Sequence, residues 1–335
     1  MSTRSLFAAV LLLAAAAPAQ GQTFMWTADR PDAVAPLGVS GDRTLPVGMG
    51  EISAFYRRVA QEGIRFGTQF ADLFELFETF TIVPFAAATE GYFLRAGYGV
   101  GEDLTLTAEG GFLTRVREQI DQDFTYFVLE SEGISDIELQ ALYSVFAQDA
   151  VRAHLHLGAS VPTGTVTASG GVPELRERGT LPYDMQLGAG AWGISPGITA
   201  QVMNESGTVG GQVVGTFYAL EKEDWRHGDK IEANLWAGYR LNRYFSVSGR
   251  VHVLSFESIQ GFDPDLDPTR DPGEFPISFA GSRVDIPVGL NLYMPEGRWA
   301  GHRLSVEFVF PVHESFEGPW LASNWGASVG WQFTP

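Results

Sequence analysis

The sequence predicts an all-β chain: a transmembrane, antiparallel, up-and-down β-barrel of about 12 strands. Three observations carry this. The last strand places Trp325, Ala327, Val329, Trp331 and Phe333 on one face, and Gly326, Ser328, Gly330 and Gln332 on the other. A period of two assigns each set to one side of a strand, and the apolar side is strongly aromatic. The same alternation recurs along most of the chain. Finally, residues 1–19 read as a secretion signal: Arg4 is basic, Leu6 to Ala17 is apolar, and Ala17-Pro-Ala19 is a small-x-small cleavage site. A soluble sandwich also alternates; the leader and the aromatic face favour the membrane barrel.

Composition agrees. There are 39 Gly, 24 Phe, 10 Tyr and 8 Trp, which suit strands, tight turns and interfacial girdles. The chain has no cysteine, so neither a disulfide framework nor a thiolate metal site is available. A net charge of −18 argues against a nucleic-acid partner. The leader is shorter than the roughly 20 apolar residues of a helical span, and charges interrupt every later apolar run. The expected organisation is a signal peptide over 1–19, a Pro- and Gly-rich periplasmic extension over 20–48, and a barrel over 49–335.

The strands are expected near 50–59, 85–99, 102–115, 133–146, 149–161, 184–203, 207–219, 230–241, 244–256, 281–294, 302–312 and 324–333. Val151, Ala153, Leu155, Leu157, Ala159 and Val161 oppose Arg152, His154, His156 and Ser160. Phe245, Val247, Val251 and Val253 oppose Ser246, Ser248, Arg250 and His252. Val284, Ile286, Val288, Leu290 and Leu292 oppose Arg283, Asp285, Gly289 and Asn291. Leu304, Val306, Phe308 and Phe310 oppose Arg303, Ser305 and Glu307. Short connections near 99–102, 147–149, 204–206 and 242–243 alternate with long ones near 60–84, 116–132, 162–183, 220–229, 257–280 and 313–323. Short turns are expected on the periplasmic rim, together with both termini.

Two places break the pattern. Phe70, Leu73, Phe74, Leu76 and Phe77 recur at helical spacing, so they predict either a short amphipathic helix at the lumen or interface, or an extension of the second strand. Pro196 and Pro287 fall inside strands, where a missing donor predicts a bend, a bulge or an early end.

The polar strand faces carry Arg95, Arg152, Arg240, Arg250, Arg283 and Arg303 against Glu109, Asp136, Glu138, Glu232, Asp285 and Glu307. An arginine at the lipid midplane would cost about 2–4 kcal/mol, so these groups are expected to line the lumen and to pair there. His154, His156 and His252 join that lining. His154 and His156 could share a metal, but a third ligand would have to come from another strand; polar lining is the expected role. Asp263, Asp265, Asp267, Asp271 and Glu274 fall at EF-hand-like ligand positions, yet Pro268 stands where that loop needs glycine. A solvated external loop near lipopolysaccharide is expected instead. No G-x-S-x-G, H-E-x-x-H or P-loop is present, so no enzyme, cofactor or metal is assigned.

Several stretches resemble one family. They are Arg30-Pro-Asp-Ala-Val-Ala-Pro-Leu-Gly-Val-Ser-Gly-Asp42, Gly50-Glu-Ile-Ser-Ala-Phe-Tyr-Arg57, Gly133-Ile-Ser-Asp136, Leu157-Gly-Ala-Ser-Val-Pro-Thr-Gly164, Leu181-Pro-Tyr-Asp-Met-Gln-Leu-Gly-Ala-Gly190 and Asn291-Leu-Tyr-Met-Pro-Glu-Gly297. Together they are similar to the outer-membrane transporters described as MetA-pathway of phenol degradation proteins. The resemblance implies a barrel that passes small hydrophobic or aromatic compounds. Its Met- and His-rich members imply copper handling; here 30–60 holds only Met49 and no histidine. The expected function is a passive outer-membrane channel for small solutes, surrounded by lipid and lipopolysaccharide. The competing reading is a structural or surface-interaction barrel with a plugged lumen.

Overall fold

Alternating side chains become a closed wall when each strand pairs with both neighbours. The structure, a computed structural model, describes residues 24–171, 178–221 and 224–335. The secretion signal expected over 1–19 lies outside the described residues. The elements are β1 (Gly50–Gly67), β2 (Gln69–Phe70), α1 (Leu73–Phe77), β3 (Ile82–Gly99), β4 (Leu104–Asp121), β5 (Tyr126–Ile134), β6 (Ile137–Gln148), β7 (Val151–Val161), β8 (Ser169–Gly171) and β9 (Arg178–Thr180). They continue with β10 (Ala191–Met203), β11 (Gly207–Glu221), β12 (Trp225–Arg226), β13 (Lys230–Arg240), β14 (Phe245–Phe256), β15 (Gln260–Gly261), β16 (Gly281–Tyr293) and β17 (His302–Phe333).

The wall strands pair antiparallel in chain order, and β17 returns to β1 to close the barrel. β4 pairs with β5 along Phe112–Ile120 and with β6 along Leu104–Glu109. Ser135 and Asp136 interrupt that neighbour. β17 meets β16 up to Phe316 and meets β1 from Phe316 onward. Its two halves also face each other: Glu314 accepts from the Ser323 amide at 3.1 Å, and the Trp331 indole donates to His302 at 3.0 Å. The segment therefore doubles back near Phe316.

Leu94, Leu157, Phe308 and Val329 stand on the outer face and are 65%, 54%, 50% and 50% exposed. Apolar exposure on this scale around a whole wall suits acyl chains rather than water. The wall is taller than the apolar pattern predicts. β1 runs to Gly67 instead of 59, β3 starts at Ile82, β4 reaches Asp121, and β17 is strand throughout 313–323. The alternation fades there because the outer face turns polar. Arg58 pairs with Glu90 across β1 and β3, and Glu130 and Glu132 stand exposed on β5. The apolar pattern marks a lipid belt; the backbone ladder continues past it.

Pro196 and Pro287 do not end their strands. Pro196 pairs in register with Leu157, and Pro287 with Val309. On the opposite edges, pairing lapses at each proline and resumes in the same register. The missing donor costs contacts to one neighbour only. The Phe70–Phe77 segment is a two-residue strand followed by α1, rather than part of β3. Asp72 caps α1 by accepting from the Phe74 amide at 2.8 Å. Leu76 packs with Ile64, Phe80, Val83 and Leu321 at the long-loop rim.

Candidate functional site: a lumen closed at both ends

Of the stretch expected as a periplasmic N-terminal extension over 20–48, residues 30–45 run inside the barrel. Trp26 donates its amide to Asp149 at the β6–β7 turn, and Arg30 reaches the Asn204 carbonyl at the β10–β11 turn. The chain then dips into the barrel and returns, where the Gly48 amide meets the Gly99 carbonyl. Ala33, Ala35 and Val39 are buried, the latter two against Trp236. The physical reason is the short polar backbone of a Pro/Gly-rich loop. It offers carbonyls that inward side chains can satisfy, and unpaired buried polar groups are costly.

Those side chains come from all around the wall. Arg303 donates to the Pro31 and Arg30 carbonyls at 2.6 and 2.9 Å. His154 Nε2 lies 2.9 Å from the Gly41 carbonyl. Gln140 donates to Ser40 Oγ at 3.0 Å, and Gln212 to the Ser40 carbonyl at 2.7 Å. Gln201 meets the Asp42 carbonyl. Thr208 donates to Asp32, which also holds Arg30 in a two-point ion pair. Gly38 sits on the Arg250–Glu307 pair: a Cβ there would collide with the guanidinium. Only glycine allows the backbone so close.

The long-loop end closes differently. Tyr183, Trp225 and Phe279 form an edge-to-face aromatic cluster with Val166, Ile259 and Leu266. Below it, Arg117 of β4 binds Asp184 of one loop and Asp271 of another. Burial pushes the Asp184 carboxyl up from its usual range, with Arg117 working against that rise. Of the acidic run 263–274, Asp271 serves Arg117, and Glu274 binds Arg270 at 2.9 and 2.7 Å while accepting the Asp267 amide. Burial, and the nearby Asp271 charge, push Glu274 up to about 7.

Between the two closures lie three chambers. One of about 260 Å³ adjoins the β5–β6 interruption, between Phe93, Glu109, Arg115, Asp136 and His227. One of about 200 Å³ lies above Gly38, against Arg57, Glu232, Arg250, His252 and Asp285. One of about 340 Å³ continues toward the long loops; Glu232, Leu254, Arg283 and Ser323 border both it and the second. His227 borders the first and the third, and burial pushes its imidazole down to about 4, so it is neutral at ordinary pH. A larger hollow, about 740 Å³, lies outside the lumen. Small residues on the lipid side of β4, β6 and β7 (Ala108, Ala141 and Ala159) form its base.

The remaining charges singled out from sequence fall as follows. Arg95 pairs with Glu109, and Arg283 and His252 both meet Asp285, at 3.0 and 2.9 Å. Glu232 pairs with Lys230 at 3.3 Å. Asp136 folds inward to accept the Gly164 and Ala189 amides. Glu138 borders the first chamber. Arg152 bonds the Asp149 and Val151 carbonyls under the Trp26 ring. Arg240 lies at the short-turn end of β13, opposite Ser246. His156 is buried with both ring nitrogens unpartnered among the described residues.

Sequence reasoning passed over Arg57, Arg117 and the contacts of 29–47. Arg117 lay beyond the expected end of its strand. Arg57 follows Phe55, an inward aromatic that hides the parity of β1. Only the shared parity of Glu51, Ser53, Phe55 and Arg57 could have signalled it.

No protein-family profile and no curated protein matches the sequence. Solved structures do. An outer membrane channel from Pseudomonas putida F1 superposes with a TM-score of 0.61 at 13% identity, covering 89% of this chain and 99% of that one. The transport unit of the autotransporter AIDA-I from Escherichia coli gives 0.47 at 8% identity, with 88% and 92% covered. A FadL homologue of Pseudomonas aeruginosa gives 0.43 at 8% identity, with 93% and 99% covered. The first likeness, at nearly full coverage of both chains, shows that this chain has the fold of an outer-membrane β-barrel.

Proposed function

We propose that this protein is a passive outer-membrane channel for small, partly apolar solutes, held shut here by residues 29–47. One observation carries the reading: the barrel interior is a series of chambers bordered by charged groups, not a close-packed core. In this reading the wall makes 12 traverses, counting the two halves of β17 separately and β5 with β6 as one. Both termini and the short turns face the periplasm, and lipopolysaccharide surrounds the taller outer wall. Arg95, Glu109, Asp136, Glu138, Arg152, His154, His156, Glu232, Arg240, Arg250, His252, Arg283, Asp285, Arg303 and Glu307 line the lumen. The likeness to the Pseudomonas putida channel supports it through the fold alone.

The experiment exploits the absence of native cysteine. In the double variant Asp32→Cys with Gly238→Cys, a disulfide would tie the inner segment to β13, because a Cβ at Gly238 would lie 3.4 Å from that of Asp32, close to the separation such a bridge needs. Liposome swelling with small sugars is expected to be slow when oxidised and fast after reduction. Equal rates in both states would refute the gate. A barrel impermeable in both states would favour the second reading, a structural barrel with a permanently filled lumen, which the two closures also fit.

A further inference from the structure

We propose that the chamber above Gly38 is a binding site for a small organic carboxylate with an apolar body, and that Arg57 selects it. The inference deepens the channel reading and rests on it for transport, though not for binding. The argument begins with charge. Around this chamber Arg250 is matched by Glu307, Glu232 by Lys230, and Asp285 by Arg283. Arg95 and Glu109, which also act on Arg57, are matched by each other. Arg57 has no ion pair or hydrogen bond among the described residues. Beside these four closed pairs Arg57 is the cation left unmatched. Its guanidinium stands 5.8 Å from the rings of Phe55 and of Phe93, which are themselves stacked at 5.0 Å. Those rings hold one side of the group, while the side chain remains exposed within the lumen.

An ordered, unmatched guanidinium facing a cavity favours a planar anion. A carboxylate meets its paired N–H groups in a two-point contact. The rest of the ligand is set by the walls. Val59, Leu254, Val309 and Pro311 supply apolar surface in the same chamber. Across the shared Leu254 border, Phe256, Phe279, Phe316 and Trp320 line the next. Charged groups that fix orientation, set beside apolar wall that holds the body of the ligand, suit a small-molecule site. At about 200 and 340 Å³, each of the two chambers admits a solute of benzoate size.

Calorimetry on the full-length secreted protein in detergent tests the site without requiring flux. Benzoate is the probe, and benzyl alcohol is its uncharged counterpart. Wild type is expected to bind benzoate at least tenfold more tightly than benzyl alcohol. Arg57→Gln should erase that preference, and Arg57→Lys should retain part of it. Reversal potentials across a potassium chloride gradient should move toward cations in Arg57→Gln. A wild type with equal affinity for both probes overturns the proposal whether or not any variant folds. So does an Arg57→Gln protein, folded by its heat-shifted gel mobility, that keeps the preference. Benzoate binding without conductance in the Asp32→Ala protein, whose inner segment is loosened, would sustain the site and defeat the channel reading; conductance without benzoate preference would do the reverse.

Discussion

The two ends of this barrel are closed by opposite kinds of chemistry. At the short-turn end, one loop fills the lumen, and wall side chains hold it mainly by its backbone carbonyls: Pro31, Arg30, Gly41, Ser40 and Asp42 each accept from a strand. Water can replace each such bond at a net cost of about 1 kcal/mol. At the long-loop end, Tyr183, Trp225 and Phe279 bury one another over the Arg117–Asp184–Asp271 triad. Nothing in water replaces a buried aromatic contact, and an orphaned buried charge is costly. The difference makes the inner loop's contacts ones that water can replace, and the long-loop cluster's ones that it cannot.

The strongest way to break this contrast is Arg117→Ala. It strands two buried carboxylates and should destabilise the long-loop end by about 3–5 kcal/mol. Hydrogen exchange should then accelerate over 183–185 and 270–274 while 29–47 stays protected. Equal loss at both ends would show the closures to be one unit. Asp32→Ala acts on the other side. It removes the Arg30 pair and the Thr208 bond and leaves a buried guanidinium with only the Asn204 carbonyl as acceptor among the described residues, at a cost of about 3 kcal/mol. Proteolysis within 24–48 should quicken with the thermal midpoint of the barrel unchanged.

A smaller effect sharpens the comparison through pH. Glu274 holds its proton up to about 7 in the folded loop, above its ordinary 4.5. Between those values the unfolded loop ionises and the folded one does not, so loop stability falls as pH rises through that window. The 263–279 loop should exchange more slowly at pH 5.5 than at pH 8 after correction for intrinsic rates; Glu274→Gln should flatten that difference. Smallest of all, Arg243→Ala removes an exposed pair with Glu296 at the short-turn rim. No change in thermal midpoint is expected there.

Much of the wall was legible from residues, because lipid imposes a strict parity. Val151 to Val161 and Leu304 to Phe310 fall on the outer face as their alternation requires. Parity ceased to be informative where both faces turned polar. That is why β1 beyond Val59 and β4 beyond Arg115 read as loop, and why Arg117 went unseen. The inner loop was illegible for another reason. Its partners are backbone carbonyls, which every sequence has, and the donors that choose them lie on strands 60 to 273 residues away, from Thr105 to Arg303. The matched pairs were foreseeable as a class: Arg95, Glu109, Arg250 and Glu307 were identified by parity, but which cation would be left over depends on the register between strands.

The doubling of β17 beside β1 carries a consequence for how this molecule is made. The filling loop precedes the first strand, yet the arginine that grips Pro31 and Arg30 belongs to the final hairpin, and Leu37 rests on Gly330 of the last strand. The inner loop therefore cannot complete these contacts before the last hairpin is in place. Sealing is postponed to the moment the seam shuts.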